Sequence, residues 1–293
     1  MVGGAEPEVI KLEPQFKRRV WGGKRLAERF EIVTDDPIGE AWMVFDENRI
    51  IDGPYTGRTL AEVLPELGEE FLGRESVARY GYRLPLMAKF LDTADWLSIQ
   101  VHPDDTYARA HESDTGWLGK AEAWVVLDAE PGAQVVYGVK QPVEREELLA
   151  AARDGSILEL LNFMPARKGD VIYVPPGTIH ALGPGLLIYE VSQRSDLTYR
   201  LYDYGRDREL HLEKALSVAQ TKPAKIERLR LHPGLFLDTP HFALSLQSTE
   251  EIGAPNSSML ALIHAERGEH SLVLKAGKKT RVNNGPWFTV AVP

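Results

Sequence analysis

The chain has 293 residues, 43% hydrophobic and 26% charged, which suits one large β-rich domain or two smaller ones around a shared core. Its formal net charge is −9 and no Lys/Arg cluster stands out, so nucleic acid is not an expected partner. Cysteine is absent, which excludes disulfides, thiolate metal sites and cysteine nucleophiles. Any metal must therefore be held by His, Glu, Asp, Gln or water. The opening residues lack the basic and apolar regions of a signal peptide, and no apolar run is long enough for a bilayer. A cytoplasmic protein without a membrane partner is expected.

In chain order, a short helix is expected over 24–30, after Gly22-Gly23. A second is expected over 60–70, because Thr59 and Glu62 have the capping-box spacing. The middle of the chain then turns to short runs rich in β-branched and aromatic residues, separated by turn residues. Strands are predicted over 96–101, 123–127, 134–137, 171–174, 186–191 and 198–202. One helical interruption spans 144–161, with apolar residues at Leu148, Leu149, Ala152, Leu158 and Leu161, and another helix covers 211–219. More strands follow over 242–247, 259–265, 270–274, 280–282 and 288–292, with hairpin turns expected at 266–268 and 276–278. The pattern is all-β with a few helices. Thr221-Lys-Pro-Ala224 is the best candidate boundary, giving a catalytic unit over 1–221 and a smaller β-rich unit over 222–293 that shares its core.

Three segments carry chemistry. In Leu97-Ser-Ile-Gln-Val-His102, strand alternation puts Ser98, Gln100 and His102 on one face and three apolar residues on the other. An amide and an imidazole two residues apart can converge on one metal, although a half-exposed strand would show the same alternation. In Gly119-Lys-Ala-Glu-Ala-Trp124, Lys120, Glu122 and Trp124 share a face. A Glu there is more often a surface residue than a ligand, and its weight comes from its company. The third segment, Gly169-Asp-Val-Ile-Tyr-Val-Pro-Pro-Gly-Thr-Ile-His180, bends at Pro175-Pro-Gly177 and delivers His180 inward. Its spacing resembles the second signature of the cupin superfamily, without the closing Asn, since Pro184 stands there. Gln100, His102, Glu122 and His180 suit a catalytic zinc with an open position, and equally Fe(II), Mn(II) or Co(II).

The replacement of the usual cupin His-x-His by Gln100-x-His102 brings one family into view. The segments 90–105, 119–124, 174–181 and 189–203, with Trp21-Gly-Gly23 and Ile38-Gly-Glu-Ala-Trp42, resemble type I mannose-6-phosphate isomerases of the short bacterial form. The resemblance implies a cupin (jelly-roll) β-barrel, with the C-terminal strands forming a second, smaller jelly-roll-like unit. It implies one zinc per chain on Gln100, His102, Glu122 and His180, and interconversion of mannose 6-phosphate and fructose 6-phosphate. Lys120, Glu190 and Arg200 are carried over as active-site residues; for substrate binding, Lys120 and Ser98 are expected to position sugar hydroxyls or the phosphate, and Arg200 to stabilise developing negative charge or hold the phosphate.

Glu190 is the first candidate for the base that shuttles a proton between C1 and C2, with a metal-bound hydroxide as its rival. Bland alternatives pair Glu190 with Arg194 or Arg200, and Arg200 with Asp196 or Asp203. His111, His211, His232, His241, His264 and His270 have no ligand-like partners at useful spacing. A non-catalytic sugar-binding cupin, an isomerase of another aldose and an iron dioxygenase remain the competing functions.

Overall fold

The computed structural model of the chain describes residues 7–266, 270–283 and 285–292. The β-branched and aromatic runs form strands, gathered into three larger antiparallel sheets and a two-stranded ribbon. A seven-stranded sheet runs in the order Glu227–Arg230, Asp170–Val174, Glu122–Ala129, Leu186–Gln193, Leu86–Thr93, Gln15–Gly23 and Ile38–Val44, the last pairing also with Leu86–Thr93. A five-stranded sheet runs Tyr199–Tyr202, Ile99–Val101, His180–Leu182, Gln134–Val139 and Leu161–Pro165. The six-stranded sheet takes Val9–Leu12, Ser271–Leu274, Leu260–His264, Trp287–Ala291, Ala243–Gln247 and Phe236–Asp238.

Period-two alternation lets the seven-stranded sheet serve two cores. Leu91, Trp124, Val126, Ile172 and Ile188 share a buried cluster with Val135, Tyr137 and Leu182 of the five-stranded sheet, which fills the barrel. Their neighbours Phe90, Ala123, Val125, Val171 and Tyr189 point the other way, into a cluster with Leu244, Phe288 and Val290 of the six-stranded sheet and with Phe242 just before it. Tyr189 stacks on Phe288 with ring centroids 4.2 Å apart. Each such side chain contributes about 1.5–3 kcal/mol by leaving water. The C-terminal strands thus complete a core begun by the rest of the chain. Edge strands are exchanged as well: Val9–Leu12 pairs with Ser271–Leu274, and Glu227–Arg230 pairs with Asp170–Val174.

The helices Arg25–Arg29, Leu60–Leu72 and Leu212–Val218 stand where the sequence predicts them, and Thr59 and Glu62 close the capping box in both directions. The helix expected over 144–161 is two pieces, Arg145–Asp154 and Ile157–Leu160. Gly155 ends the first piece in a left-handed conformation (φ 88°, ψ −4°), which costs glycine no Cβ clash, and Leu161 already begins a strand. The apolar spacing runs across the break because both pieces pack on the same cluster behind the five-stranded sheet.

The strand expected over 96–101 starts only at Ile99. The turn at 276–278 is no hairpin, because Lys279–Arg281 pairs with Glu251–Gly253 while Ser271–Leu274 pairs with Val9–Leu12 and Leu260–His264. The expected turn at 266–268 joins two strands that do pair, but residues 267–269 lie outside the described residues. Among the described residues, no helix is long and apolar enough to cross a membrane.

Candidate metal centre and active site

The barrel brings the three chemistry-bearing segments together. Gln100 lies at the middle of Ile99–Val101, directly opposite His180 on one neighbouring strand and Arg200 on the other. His102 follows two residues on. Across the barrel, Glu122 opens the strand Glu122–Ala129, and Trp124 on the same face donates its indole N–H to Glu122 Oε1 at 2.9 Å. The Pro175-Pro176-Gly177 bend delivers His180. Gly177 has φ +83°, a Cβ there would stand 2.9 Å from Val218 O, and its N–H donates to His102 O at 2.9 Å. The bend therefore needs glycine and ties the two histidine segments to each other.

His102, Glu122 and His180 are each 1% exposed, and one ligand atom from each lies within 4.8 Å of the others. His102 Nδ1 donates to Leu197 O at 2.7 Å and His180 Nδ1 to Thr178 O at 2.8 Å. A carbonyl can only accept, so both imidazoles carry their proton on Nδ1 and direct the Nε2 lone pair into the cluster. Backbone carbonyls commonly fix metal-binding histidines in this way. Burial, together with the Lys120 ammonium, pushes His102 down to about 3, and burial also lowers His180, so both rings are neutral. Burial alone would raise Glu122, but the adjacent Lys120 ammonium pulls the other way and the carboxyl lies well below its usual range.

The spacing fits zinc. His102 Nε2 lies 3.4 Å from Glu122 Oε2, and His180 Nε2 lies 3.3 Å from Glu122 Oε1 and 3.3 Å from Gln100 Nε2. An edge of a zinc tetrahedron is about 3.3–3.4 Å, and each imidazole nitrogen stands at that distance from one of the two Glu122 oxygens. Ser98 Oγ donates to Gln100 Oε1 at 3.1 Å. Half a turn of that amide exchanges two isosteric atoms, turning Oε1 to the cluster and the NH2 to Ser98. The donor set of two neutral imidazoles, a carboxylate and an amide oxygen suits zinc.

Beyond the cluster, charges alternate. Lys120 Nζ is 2.8 Å from Glu122 Oε2, off the hydrogen-bonding direction, and 3.5 Å from Glu190 Oε1. Lys89 Nζ is 3.2 Å from the same Glu190 oxygen. Burial and Glu122 raise the Glu190 carboxyl against the pull of these two ammonium groups. A cavity of about 440 Å³ opens over this row, lined by Ser98, Gln100, Lys120, Glu190 and Arg200.

Arg200 makes no ion pair among the described residues, and its Nε is buried without a hydrogen-bond partner. Its candidate partner Asp203 is taken by Arg206 and Arg208, while Arg194 pairs with Asp46 instead of Glu190. The bland pairings raised for Arg200 and Glu190 do not form.

Residues 9–118 match the model of the phosphomannose isomerase type I catalytic domain. Mannose-6-phosphate isomerase of Streptococcus mutans is 37% identical over 257 residues, 82% of this chain and 78% of that one. The solved mannose 6-phosphate isomerase of Bacillus subtilis superposes with a TM-score of 0.74 at 30% identity, covering 98% of this chain and 99% of that one. The chain belongs to the type I mannose-6-phosphate isomerase family. A zinc-bound mannose 6-phosphate isomerase shares the fold at 20% identity, with a TM-score of 0.72 over 98% of this chain and 100% of that one.

Within this isomerase family member, sequence reasoning passed over three residues of the site. Lys89 and Glu40 are buried beside Glu190, and Arg19 lines the cavity. Lys89 gives no signal because its strand, Leu86–Thr93, is buried along its whole length and shows no polar face. Glu40 stood in the Ile38–Trp42 motif without a role. His211, one of the histidines set aside, accepts from the backbone N–H of Arg200 through Nδ1 at 3.3 Å.

Proposed function

We propose that the chain is a zinc-dependent aldose–ketose isomerase that interconverts mannose 6-phosphate and fructose 6-phosphate. The observation that carries this reading is the pair of buried imidazoles locked through Nδ1 and facing Glu122, next to Gln100 and Lys120 of a cavity whose Arg200 makes no ion pair among the described residues. Gln100, His102, Glu122 and His180 would hold the zinc, one per chain, and the bound metal supplies Lewis-acid stabilisation of charge on the sugar oxygens.

Glu190 acts as the base. It takes the proton from C2 of the open-chain aldose, the C2–H electron pair forms the C1=C2 bond of a cis-enediol as the C1 carbonyl pair moves to O1, and returning the proton to C1 while the O2 proton passes to O1 leaves the C2 ketone. A carboxyl raised by burial is a better proton acceptor than one in water. Lys120 presents its ammonium to a sugar oxygen between Glu122 and Glu190. Arg200 matches the substrate phosphate with its planar fork, and Ser98 orients the Gln100 amide. The anionic substrate meets a cavity lined by cations despite the negative net charge of the chain.

The test is a coupled assay of the metal-loaded protein with mannose 6-phosphate, mannose and glucose 6-phosphate. Turnover of mannose 6-phosphate well above the other two is expected. Binding of a hexose phosphate without turnover would instead favour a non-catalytic sugar-binding cupin.

A further inference from the structure

The segment Ile38-Gly39-Glu40-Ala41-Trp42 takes no part in the steps above, yet its charged side chain points at them. Glu40 and Trp42 lie on Ile38–Val44, which pairs with Leu86–Thr93 so that Trp42 stands opposite Lys89. The Glu40 carboxylate is buried and accepts three hydrogen bonds. Its Oε1 accepts from Arg19 Nε at 2.9 Å, and its Oε2 accepts from Trp42 Nε1 at 2.5 Å and Arg19 Nη2 at 3.3 Å. Burial would raise this carboxyl, but Lys89 and Arg19 outweigh it and bring it to about 2, so it is an anion at any working pH. The protein thus takes three of the roughly four acceptor sites of Glu40, which borders the cavity.

What it does hold is Lys89. Glu40 Oε2 stands 3.9 Å from Lys89 Nζ, and Glu190 Oε1 stands 3.2 Å from the same ammonium. A buried ammonium needs compensating charge, and its flexible four-carbon stem does not fix its own head. Of its two carboxylates, only Glu40 is held by three directed hydrogen bonds, while Glu190 Oε1 has none. Glu40 is the fixed end of the row and Glu190 the working end.

We propose that Glu40, clamped by Arg19 and Trp42, is a positioning residue that acts through Lys89 to seat the Glu190 carboxylate for proton transfer. This rests on the reading of Glu190 as the base. A base displaced by a fraction of an ångström to an ångström loses rate without losing substrate. The variant Glu40→Gln is therefore expected to lower kcat by about 10²-fold. Its KM is expected to stay within about threefold, with zinc content unchanged. In a Lys89→Gln background, adding Glu40→Gln is expected to cost no further kcat, because a residue acting through another is silent once that other is gone.

A wild-type kcat in Glu40→Gln, or losses that simply multiply in the double variant, would overturn the proposal. Trp42→Phe keeps an aromatic ring in the cluster with Phe45 and Met87 but loses the indole N–H along with the second ring, so with a thermal melt as control it decides the matter if Glu40→Gln does not fold. A smaller kcat loss at unchanged KM supports the clamp, and wild-type kcat sinks it. Glu190→Gln, measured alongside, separates the two levels. If it loses kcat and Glu40→Gln keeps wild-type kcat, only the positioning role falls; if it turns over normally, the base assignment falls and takes this proposal with it.

Discussion

Replacing Glu190 by Gln removes one charge and leaves side-chain volume and strand register intact. The lost carboxylate lies 3.2 Å from Lys89 and 3.5 Å from Lys120. Neither ammonium is left bare, because Lys120 keeps Glu122 at 2.8 Å and Lys89 keeps Glu40 at 3.9 Å. The cost to the fold should therefore fall below the 3–5 kcal/mol of a wholly broken buried pair, at about 1–2 kcal/mol. That corresponds to a Tm lower by about 2–6 °C. The catalytic loss is of another size. Removing a general base costs about 10²- to 10⁴-fold in kcat, or about 3–5 kcal/mol of barrier. Metal content should not change, since the carboxylate lies beyond the three-residue ligand cluster. Steady-state turnover, a zinc count by mass spectrometry and a thermal melt on one preparation measure all three. A kcat within about tenfold of wild type at full zinc content would refute Glu190 as the base. Loss of activity in proportion to lost zinc would show that it acts on the metal instead.

Arg200→Ala should raise KM for the phosphorylated sugar by about 10- to 100-fold, the worth of hydrogen bonds to a charged group, and leave turnover of unphosphorylated mannose unaffected. An equal effect on both sugars would remove Arg200 from phosphate binding. Glu40 has a carboxyl at about 2 in the folded protein against an ordinary 4.5, so its stabilisation is present above pH 4.5 and lost as pH falls towards 2. The difference is worth about 3 kcal/mol. Glu40→Gln should flatten acid unfolding across that window, and an unchanged acid limb would show that the ion pairs contribute little. Phe288→Ala opens a hole against Tyr189 in the core shared by the seven- and six-stranded sheets. It should cost about 3–5 kcal/mol in chemical denaturation, and a cost below about 1 kcal/mol would argue that the C-terminal strands fold apart.

The candidate metal cluster was legible in part because Gln100 lies on a short strand with a polar face that His102 continues. Gln100 and His102 announced themselves by alternation, and His180 by the glycine its bend demands. The elements that escaped are those buried on both sides, where alternation vanishes. Leu86–Thr93 and Ile38–Val44 are buried at every position, so alternation gives no signal for Lys89 or Glu40. Long-range pairing is equally invisible locally, which is why Val9–Leu12 gave no hint that it completes a sheet with residues near the other end of the chain. The single long helix read over 144–161 failed for a related reason. Apolar period reports which cluster a segment packs on, and the backbone break at Gly155 leaves that period almost unchanged.

The most direct test of the metal centre's role is to strip the protein with a chelator, count its metal, and follow hexose-phosphate isomerisation as zinc is returned. Activity is expected to vanish with the metal and to return in proportion to zinc up to one per chain, while a His102→Gln, His180→Gln double variant recovers neither. Full turnover by the metal-free protein, or undiminished zinc binding by the double variant, would contradict it.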